Sequence, residues 1–271
     1  MEKLFFLGGL CRSGTTVLGS ILNQNPDIYV NTTSPLVDVH IGIERHLNML
    51  ATKYTFNLKE VVDNFLKDSY KIYFKNIDKK YIIDNGRSWP GNIAEIKRNI
   101  DPNPKVICTY RSVPEIVTSF LAMDKKDKDN AMQLICREHK LEPTVKQLAE
   151  IAWDVMSKAP FEALRRGLIL NPENILLIEY HDFINNPSKT IDRVYDFLEI
   201  PKYEHTFTNI ENTLKDPRDY SWGFADLHNI RSEISKTSLD PKETLGEELY
   251  QKYLKYDKLL FEGIDGNRLR K

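Results

Sequence analysis

The chain has 271 residues, with 38 Lys and Arg against 39 Asp and Glu for a formal net charge of −1, and 41 % of its residues are hydrophobic and 28 % charged. These are the values of a globular protein long enough to bury a core without disulfides or metals. The near-neutral balance argues against nucleic-acid binding through a broad basic surface but leaves room for a local anion site. Three cysteines, Cys11, Cys108 and Cys136, form neither an even framework nor a metal-ligand spacing, the pattern of reduced thiols in a cytoplasmic protein.

Lys3 to Leu7 reads as a buried strand. The apolar run around it, Leu4 to Leu10, is interrupted by Gly8 and Gly9. It is far shorter than the roughly 20 residues of a membrane span, and it has no charged flank or cleavage site, so neither export nor a membrane anchor is expected. A Gly-rich turn leads to a helix over 15–24, with Val17, Leu18, Ile21 and Leu22 on one face and Asn25-Pro26 as the stop. Ile28 to Val30 is a short strand, and 36–75 is mainly helical by pattern. Tyr81 to Asp84, Lys105 to Tyr110 and Asn174 to Tyr180 are three more runs of strand length, each followed by a turn and helical periodicity. A second mainly helical segment covers 123–167. Ile191, Val194, Tyr195 and Leu198 have the spacing of a helix packed on a sheet. The stretch 202–246 is polar and irregular, as a functional loop or lid would be, and Glu247 to Phe261 is a closing helix.

Strands alternating with helices predict an α/β fold: a central parallel sheet flanked by helices on both faces, in a single domain over 1–271, with helical cap segments at 36–75 and 123–167. Ligands of such sheets bind beyond the carboxyl ends of the strands. That directs attention to the residues following Leu7, Val30, Asp84, Tyr110 and Tyr180.

The first of these places holds Gly9-Leu-Cys-Arg-Ser-Gly14-Thr15-Thr16, a G-x-x-x-x-G spacing followed by two threonines. Backbone N–H groups of the turn and of the new helix converge on one point, and the helix dipole adds about half a positive charge there. An ATP- or GTP-binding loop has Lys after its second glycine. Here Thr15 holds that position, and the nearby cation is Arg12. The second place holds Tyr110-Arg111, followed by Ser112-x-x-Glu115, read as a capping box. Ser119 lies eight positions beyond Arg111, about 10 Å along the helix from its cap, close enough to share one phosphate with an Arg side chain. The third holds Glu179-Tyr180-His181-Asp182-Phe183, then Pro187, then Tyr195-Asp196-Phe197-Leu198.

In this order the three elements resemble the P-loop sulfotransferases that use 3′-phosphoadenosine-5′-phosphosulfate, in particular the bacterial and tyrosylprotein-sulfotransferase branch. The first matches the family's 5′-phosphosulfate loop, usually Pro-Lys/Arg-Ser-Gly-Thr-Thr, with Cys11 at the Pro position. The second matches its 3′-phosphate site, and the third its Tyr-Glu-Asp-Leu…Pro…Phe-Leu-Gly segment. The resemblance implies a P-loop-type sheet and transfer of a sulfuryl group from that donor to a hydroxyl or amine, leaving 3′,5′-adenosine bisphosphate, with no metal required. It also implies a nucleotide site formed by Arg12, Ser13, Gly14, Thr15, Thr16, Arg111, Ser119 and Tyr180. In the late loop, Arg231 or Lys215 would be a further phosphate partner.

Arginine effectively never deprotonates, so Arg12 can supply charge and directed hydrogen bonds but no proton. The acceptor needs a base. The Glu that the tyrosylprotein branch carries shortly after its second strand corresponds by count to Thr33, which cannot serve. Asp38, His40 and Glu44 stand nearby, on the helix that Ser34-Pro35 opens, and Asp38, one turn in, is first among them. In relatives a Lys after the next strand bridges donor and acceptor. Asn85 occupies that position here, and Arg87 is the candidate second cation. Tyr54, Phe56, Phe65, Tyr70, Tyr73 and Phe74 are available to line an aromatic acceptor pocket, or simply to pack. Two rival readings stand beside the transferase: a non-catalytic nucleotide-binding protein of the same fold, and a small-molecule P-loop kinase. The acceptor and the oligomeric state are not legible.

Overall fold

The computed structural model describes residues 2–47, 58–214, 223–224, 227–230 and 239–266. Among them, β1 (Lys3–Gly9), β2 (Ile28–Val30), β3 (Tyr81–Asn85), β4 (Val106–Tyr110) and β5 (Ile175–Glu179) form one five-stranded sheet in the order β2-β3-β1-β4-β5. Every pairing is parallel, including Leu7 with Asn85 on one side of β1 and Gly9 with Thr109 on the other. The chain moves from β1 outward to β2, returns through β3, and then continues on the far side of β1 through β4. Strand order therefore switches between β1 and β4, and the crevice beyond their carboxyl ends is where such a sheet binds ligands.

The strands alternate two sets of apolar side chains, one to each face, as a sheet buried on both sides requires. Phe5, Leu7, Ile83, Ile107 and Ile178 join one core, covered by Leu18, Ile21 and Leu22 of α1 (Thr15–Leu22). Phe6, Ile82, Cys108 and Leu177 join the other. That second core is covered by Val117 and Phe120 of α5 (Val113–Lys126) and Tyr253 of α11 (Pro241–Phe261). The cap segments are helical as expected. The first contains α2 (Leu36–Leu47) and α3 (Leu58–Tyr73), and α4 (Ile93–Asn99) follows β3. The second contains α6 (Ala131–Glu138), α7 (Val145–Ile151), a π-helical stretch (Ala152–Ser157) and α8 (Lys158–Leu170). After β5 come α9 (Tyr180–Asn185) and α10 (Pro187–Leu198), which carries the predicted Ile191, Val194, Tyr195 and Leu198 face.

Two expectations need correction. Helix α1 stops at Leu22, because Asn23 exchanges hydrogen bonds with the backbone N–H and carbonyl of Val30 and straps the helix to β2. The closing helix over 247–261 is as expected, and a short helical segment from Pro241 precedes it. Asp240 caps it by accepting from the N–H groups of Lys242 and Glu243, and it breaks at Gly246, whose φ is 74°. The capping box at Ser112 does not form. Ser112 Oγ instead donates to Asp257 Oδ2 at 2.6 Å, and the Val113 N–H donates to Asp257 Oδ1 at 2.7 Å. Glu115 is left free to turn toward Arg111 and His181.

A carboxylate on α11 thus caps a helix more than a hundred residues earlier in the chain. Replacing Asp257 with Ala is expected to lower stability by about 1–2 kcal/mol. Urea unfolding at neutral pH measures this, and an unchanged midpoint would show that the remote cap contributes nothing.

Candidate active site

The loop after β1 is built by conformations that ordinary residues resist. Gly9 has φ 127°, and a Cβ there would lie 2.1 Å from the Thr109 carbonyl oxygen, so a side chain is excluded by space as well as by dihedral. Gly14, with φ 91°, is the N-cap of α1 and supplies no side chain to it. The first turn of α1 carries no acidic residue, which leaves its N–H groups to an external anion. Arg12 adopts φ 56° without being glycine, at a cost of about 1–2 kcal/mol.

Thr109 of β4 anchors the loop from below, and sequence reasoning missed it. Ser13 Oγ lies 2.6 Å and Thr15 Oγ1 2.8 Å from Thr109 Oγ1, and Ser13 Oγ also donates to the Leu10 carbonyl. The Ser13 hydroxyl is therefore turned inward, and what Ser13 can offer a ligand is its backbone N–H. Thr16 follows half-buried in the first turn of α1.

The cationic residues picked from sequence meet around this loop. Arg12 Nε donates to Ser119 Oγ at 3.1 Å, and Arg12 Nη1 donates to the Leu227 carbonyl. Buried Arg111 donates to the Arg12 carbonyl at 3.3 Å, pairs with Glu115 at 3.4 Å, and stacks with its guanidinium carbon 4.2 Å from the centre of the Tyr180 ring. The same Tyr180 ring closes over Gly14, 3.4 Å from where a Cβ would stand. Arg12, Gly14, Arg111, Ser119 and Tyr180 thus form one neighbourhood beside the start of α1. Burial, and then the nearby charges of Arg111 and Arg87, push the Arg12 guanidinium down to about 10.

Two adjoining cavities extend from the loop. The smaller, about 50 Å³, is lined by Arg12 and Thr15 of the loop and by Thr33, Arg87 and His228. The larger, about 260 Å³, shares Thr33, Arg87, Leu227 and His228 and then becomes apolar, with Phe120, Val155, Met156 and Phe224. Asp38 lines only the larger one, exposed in the first turn of α2. His40 is buried against Ser69 Oγ at 2.8 Å, with its ring beside Trp89, and it lines neither. Phe65 and Tyr73 lie exposed on α3, while Tyr70 and Phe74 line a separate cavity with Lys3 at the start of β1. The cleft's aromatic wall is therefore Phe120 and Phe224 rather than those residues. Lys215, Arg231, Tyr54 and Phe56, and the side chain of Glu44, lie outside the described residues.

His228 was overlooked in sequence because the segment around it was read for phosphate-binding cations. Its one distinguishing signal is an imidazole between Leu227 and Asn229. Among the described residues no cluster of His, Cys, Asp and Glu could hold a metal ion, and no helix is long and apolar enough to cross a membrane.

Comparison with known proteins places this geometry. The sulfotransferase family model matches residues 5–205, and the chain belongs to that family. No curated protein matches the chain. Among solved structures the fold is similar to mouse sulfotransferase SULT7A1 complexed with PAP (14 % identity, TM-score 0.51, 98 % of this chain and 86 % of that one). It is similar too to the sulfotransferase domain of the Synechococcus PCC 7002 olefin synthase (16 %, TM-score 0.50, 92 % and 93 %). A third similar structure is a sulfotransferase from Alicyclobacillus acidocaldarius (16 %, TM-score 0.50, 84 % and 93 %).

The lowered Arg12 pKa has a testable sign. The folded chain holds that proton less tightly than the unfolded chain, so charged Arg12 subtracts stability at every pH below about 10. A bound anion offsets the cost. Pyrophosphate is expected to raise the melting temperature of the wild type. Arg12→Gln is expected to melt no lower than the wild type without ligand and to show a smaller pyrophosphate shift. An undiminished shift in the variant would contradict this placement of the anion site.

Proposed function

We propose that the protein is a sulfotransferase that moves the sulfuryl group of 3′-phosphoadenosine-5′-phosphosulfate to the hydroxyl of a compact acceptor with an apolar body. One observation carries the reading: the small cavity joins the cationic loop at Arg12 and Thr15 to a larger apolar cavity, with Thr33, Arg87 and His228 in the wall of both. A sulfuryl group in the junction has the nucleotide's leaving phosphate on one side and an acceptor oxygen on the other, the in-line arrangement that such a transfer needs.

In this reading the acceptor oxygen forms a bond to sulfur while the bond from sulfur to the 5′-phosphate oxygen breaks. The acceptor's proton passes to His228, the electron pair leaves with the phosphate, and the product nucleotide is 3′,5′-adenosine bisphosphate. Arg12, Thr15, Thr16 and the N–H groups of Ser13, Gly14 and α1 stabilise the leaving phosphate, and Arg87 stabilises the equatorial oxygens of the sulfuryl group. Fixed donors suffice for this, and no step calls for a metal. Arg111 and Ser119 hold the 3′-phosphate beside the Tyr180 ring. His228 takes the role of base because it borders the junction, whereas Asp38 borders only the acceptor's end and contacts the acceptor body there. Imidazole is also the side chain whose ordinary pKa suits a base near neutrality.

Sulfuryl transfer from the radiolabelled donor, with EDTA present, to a panel of phenols, aliphatic alcohols, sugars and tyrosine peptides tests this. Labelled product from apolar alcohols or phenols is expected. His228→Ala should lower kcat by about 10²–10⁴-fold and remove the acidic limb of its pH profile, while Asp38→Ala should act mainly on KM. Nucleotide binding with no transfer to any acceptor would favour the non-catalytic reading. Loss with Asp38→Ala and not with His228→Ala would return the base to Asp38.

A further inference from the structure

Two neighbouring turns that line the larger cavity are tied together behind it by one carboxylate. Asp84, in β3, is wholly buried. Its Oδ1 accepts from Asn31 Nδ2 at 2.7 Å, its Oδ2 accepts from Trp89 Nε1 at 3.0 Å, and the Ser34 hydroxyl donates to it as well. Asn31 passes the link on, because its Oδ1 accepts the Asn85 N–H at 2.6 Å. The Asn85 carbonyl accepts the Ser34 N–H at 2.8 Å, and Asn85 Nδ2 donates to the Thr32 carbonyl. The network joins the turn after β2, which carries Thr33 and Ser34, to the turn after β3, which carries Arg87 and Ser88. All four of those residues line the cavity.

These partners of Asp84 are all neutral, which is unusual for a fully buried carboxylate. A hydrophobic side chain of similar size would fill the space at lower cost but could not hold three donors from two separate turns. We propose that Asp84 is a positioning residue: its carboxylate locks the two turns together and so fixes Thr33 and Arg87 side by side in the wall of the acceptor's path. The inference rests on the reading that the larger cavity takes the acceptor.

Burial pushes the Asp84 carboxyl up to about 6 against the pull of its three donors, so a proton weakens the lock at mildly acidic pH. The titratable groups facing this network are Tyr29 of β2, whose phenol is pushed up by burial and then by Asp84, and His40 of α2, whose ring centre lies 6.0 Å from that of Trp89. From β1 the neighbour is apolar Phe6, with its ring 4.9 Å from that of Trp89.

Asp84→Asn keeps the shape but turns one acceptor into a donor that faces another donor. The variant is expected to bind 3′,5′-adenosine bisphosphate as the wild type does, while its acceptor KM rises about tenfold, the worth of roughly one lost hydrogen bond, and kcat falls as Arg87 shifts. The Trp89 indole N–H resonance, assigned with Trp89→Phe, should titrate near pH 6 in the wild type, and that transition should be absent from Asp84→Asn. An unchanged acceptor KM in the folded variant overturns the proposal, and so does a transition that persists, since it would then belong to His40. Should Asp84→Asn not fold, the wild type decides: acceptor KM must rise below about pH 6 in step with the indole resonance, and a flat KM overturns the lock. Should the wild type transfer to no acceptor, the catalytic reading fails separately. The lock is then judged by whether Asp84→Asn displaces the backbone amide resonances of Thr33 and Arg87, and unmoved resonances overturn it.

Discussion

The site depends on the fold burying Arg12 beside two other cations. Arg12, Arg87 and Arg111 come from three different strand ends, and burial, then the charges of Arg111 and Arg87, lower the pKa of Arg12. Water would screen such charges if the chain let them separate. It does not, because the switch in strand order fixes the ends of β1, β3 and β4 side by side. Glu115 offsets part of the charge on Arg111, and the rest of the cluster is complementary to a ligand carrying several negative charges. The strained backbone at Gly9, Arg12 and Gly14 is best understood together with that charge, since it aims the N–H groups of α1 at the same place.

The larger cavity is organised differently. Its walls come from turns and from a π-helical stretch, Ala152–Ser157, that brings Val155 and Met156 to the cavity. A π turn disturbs the regular carbonyl pairing of a helix and is frequent at functional sites. Here the Met156 carbonyl accepts from the Cys11 thiol at 3.1 Å, and the Ala152 carbonyl accepts from Ser157 Oγ. The residue at the usual proline position of the phosphate loop thus carries a structural link to the cavity wall, which proline could not supply. Arg12 makes a comparable link to the late loop through the Leu227 carbonyl. The larger cavity and the late loop are thus both tied to the phosphate-type loop.

Local patterns carried much of this into the sequence. Short apolar runs marked β1, β3, β4 and β5, and helical spacing marked the Ile191–Leu198 face, because each must bury an apolar side in the layered core. The spacing of Gly9 and Gly14 was legible because backbone geometry at a phosphate-type loop leaves few choices of residue, whereas Arg111 and Ser119 stood out only through the family resemblance. What escaped was everything set by distant parts of the chain. The cap of α5 comes from Asp257, the floor of the loop from Thr109, the aromatic wall from Phe120 and Phe224, and the imidazole from His228. None of these has a local signature, since each depends on which segments the sheet order brings together. Ser112 shows how a local signal can mislead: the capping-box pattern is complete in sequence, but a better acceptor arrives from α11 and Glu115 is drawn to Arg111 and His181.

The central claim is that the crevice between β1 and β4 is a site for an adenosine nucleotide phosphorylated at both 3′ and 5′ positions. Calorimetric titration with 3′,5′-adenosine bisphosphate, beside ATP with magnesium, on the wild type and on Arg111→Ala, addresses it directly. The account predicts micromolar or tighter binding of the bisphosphate without metal, weakened by the substitution, and little response to ATP. Preference for ATP with magnesium, or affinity for the bisphosphate indifferent to Arg111, would contradict it and leave the loop an ordinary phosphate cradle.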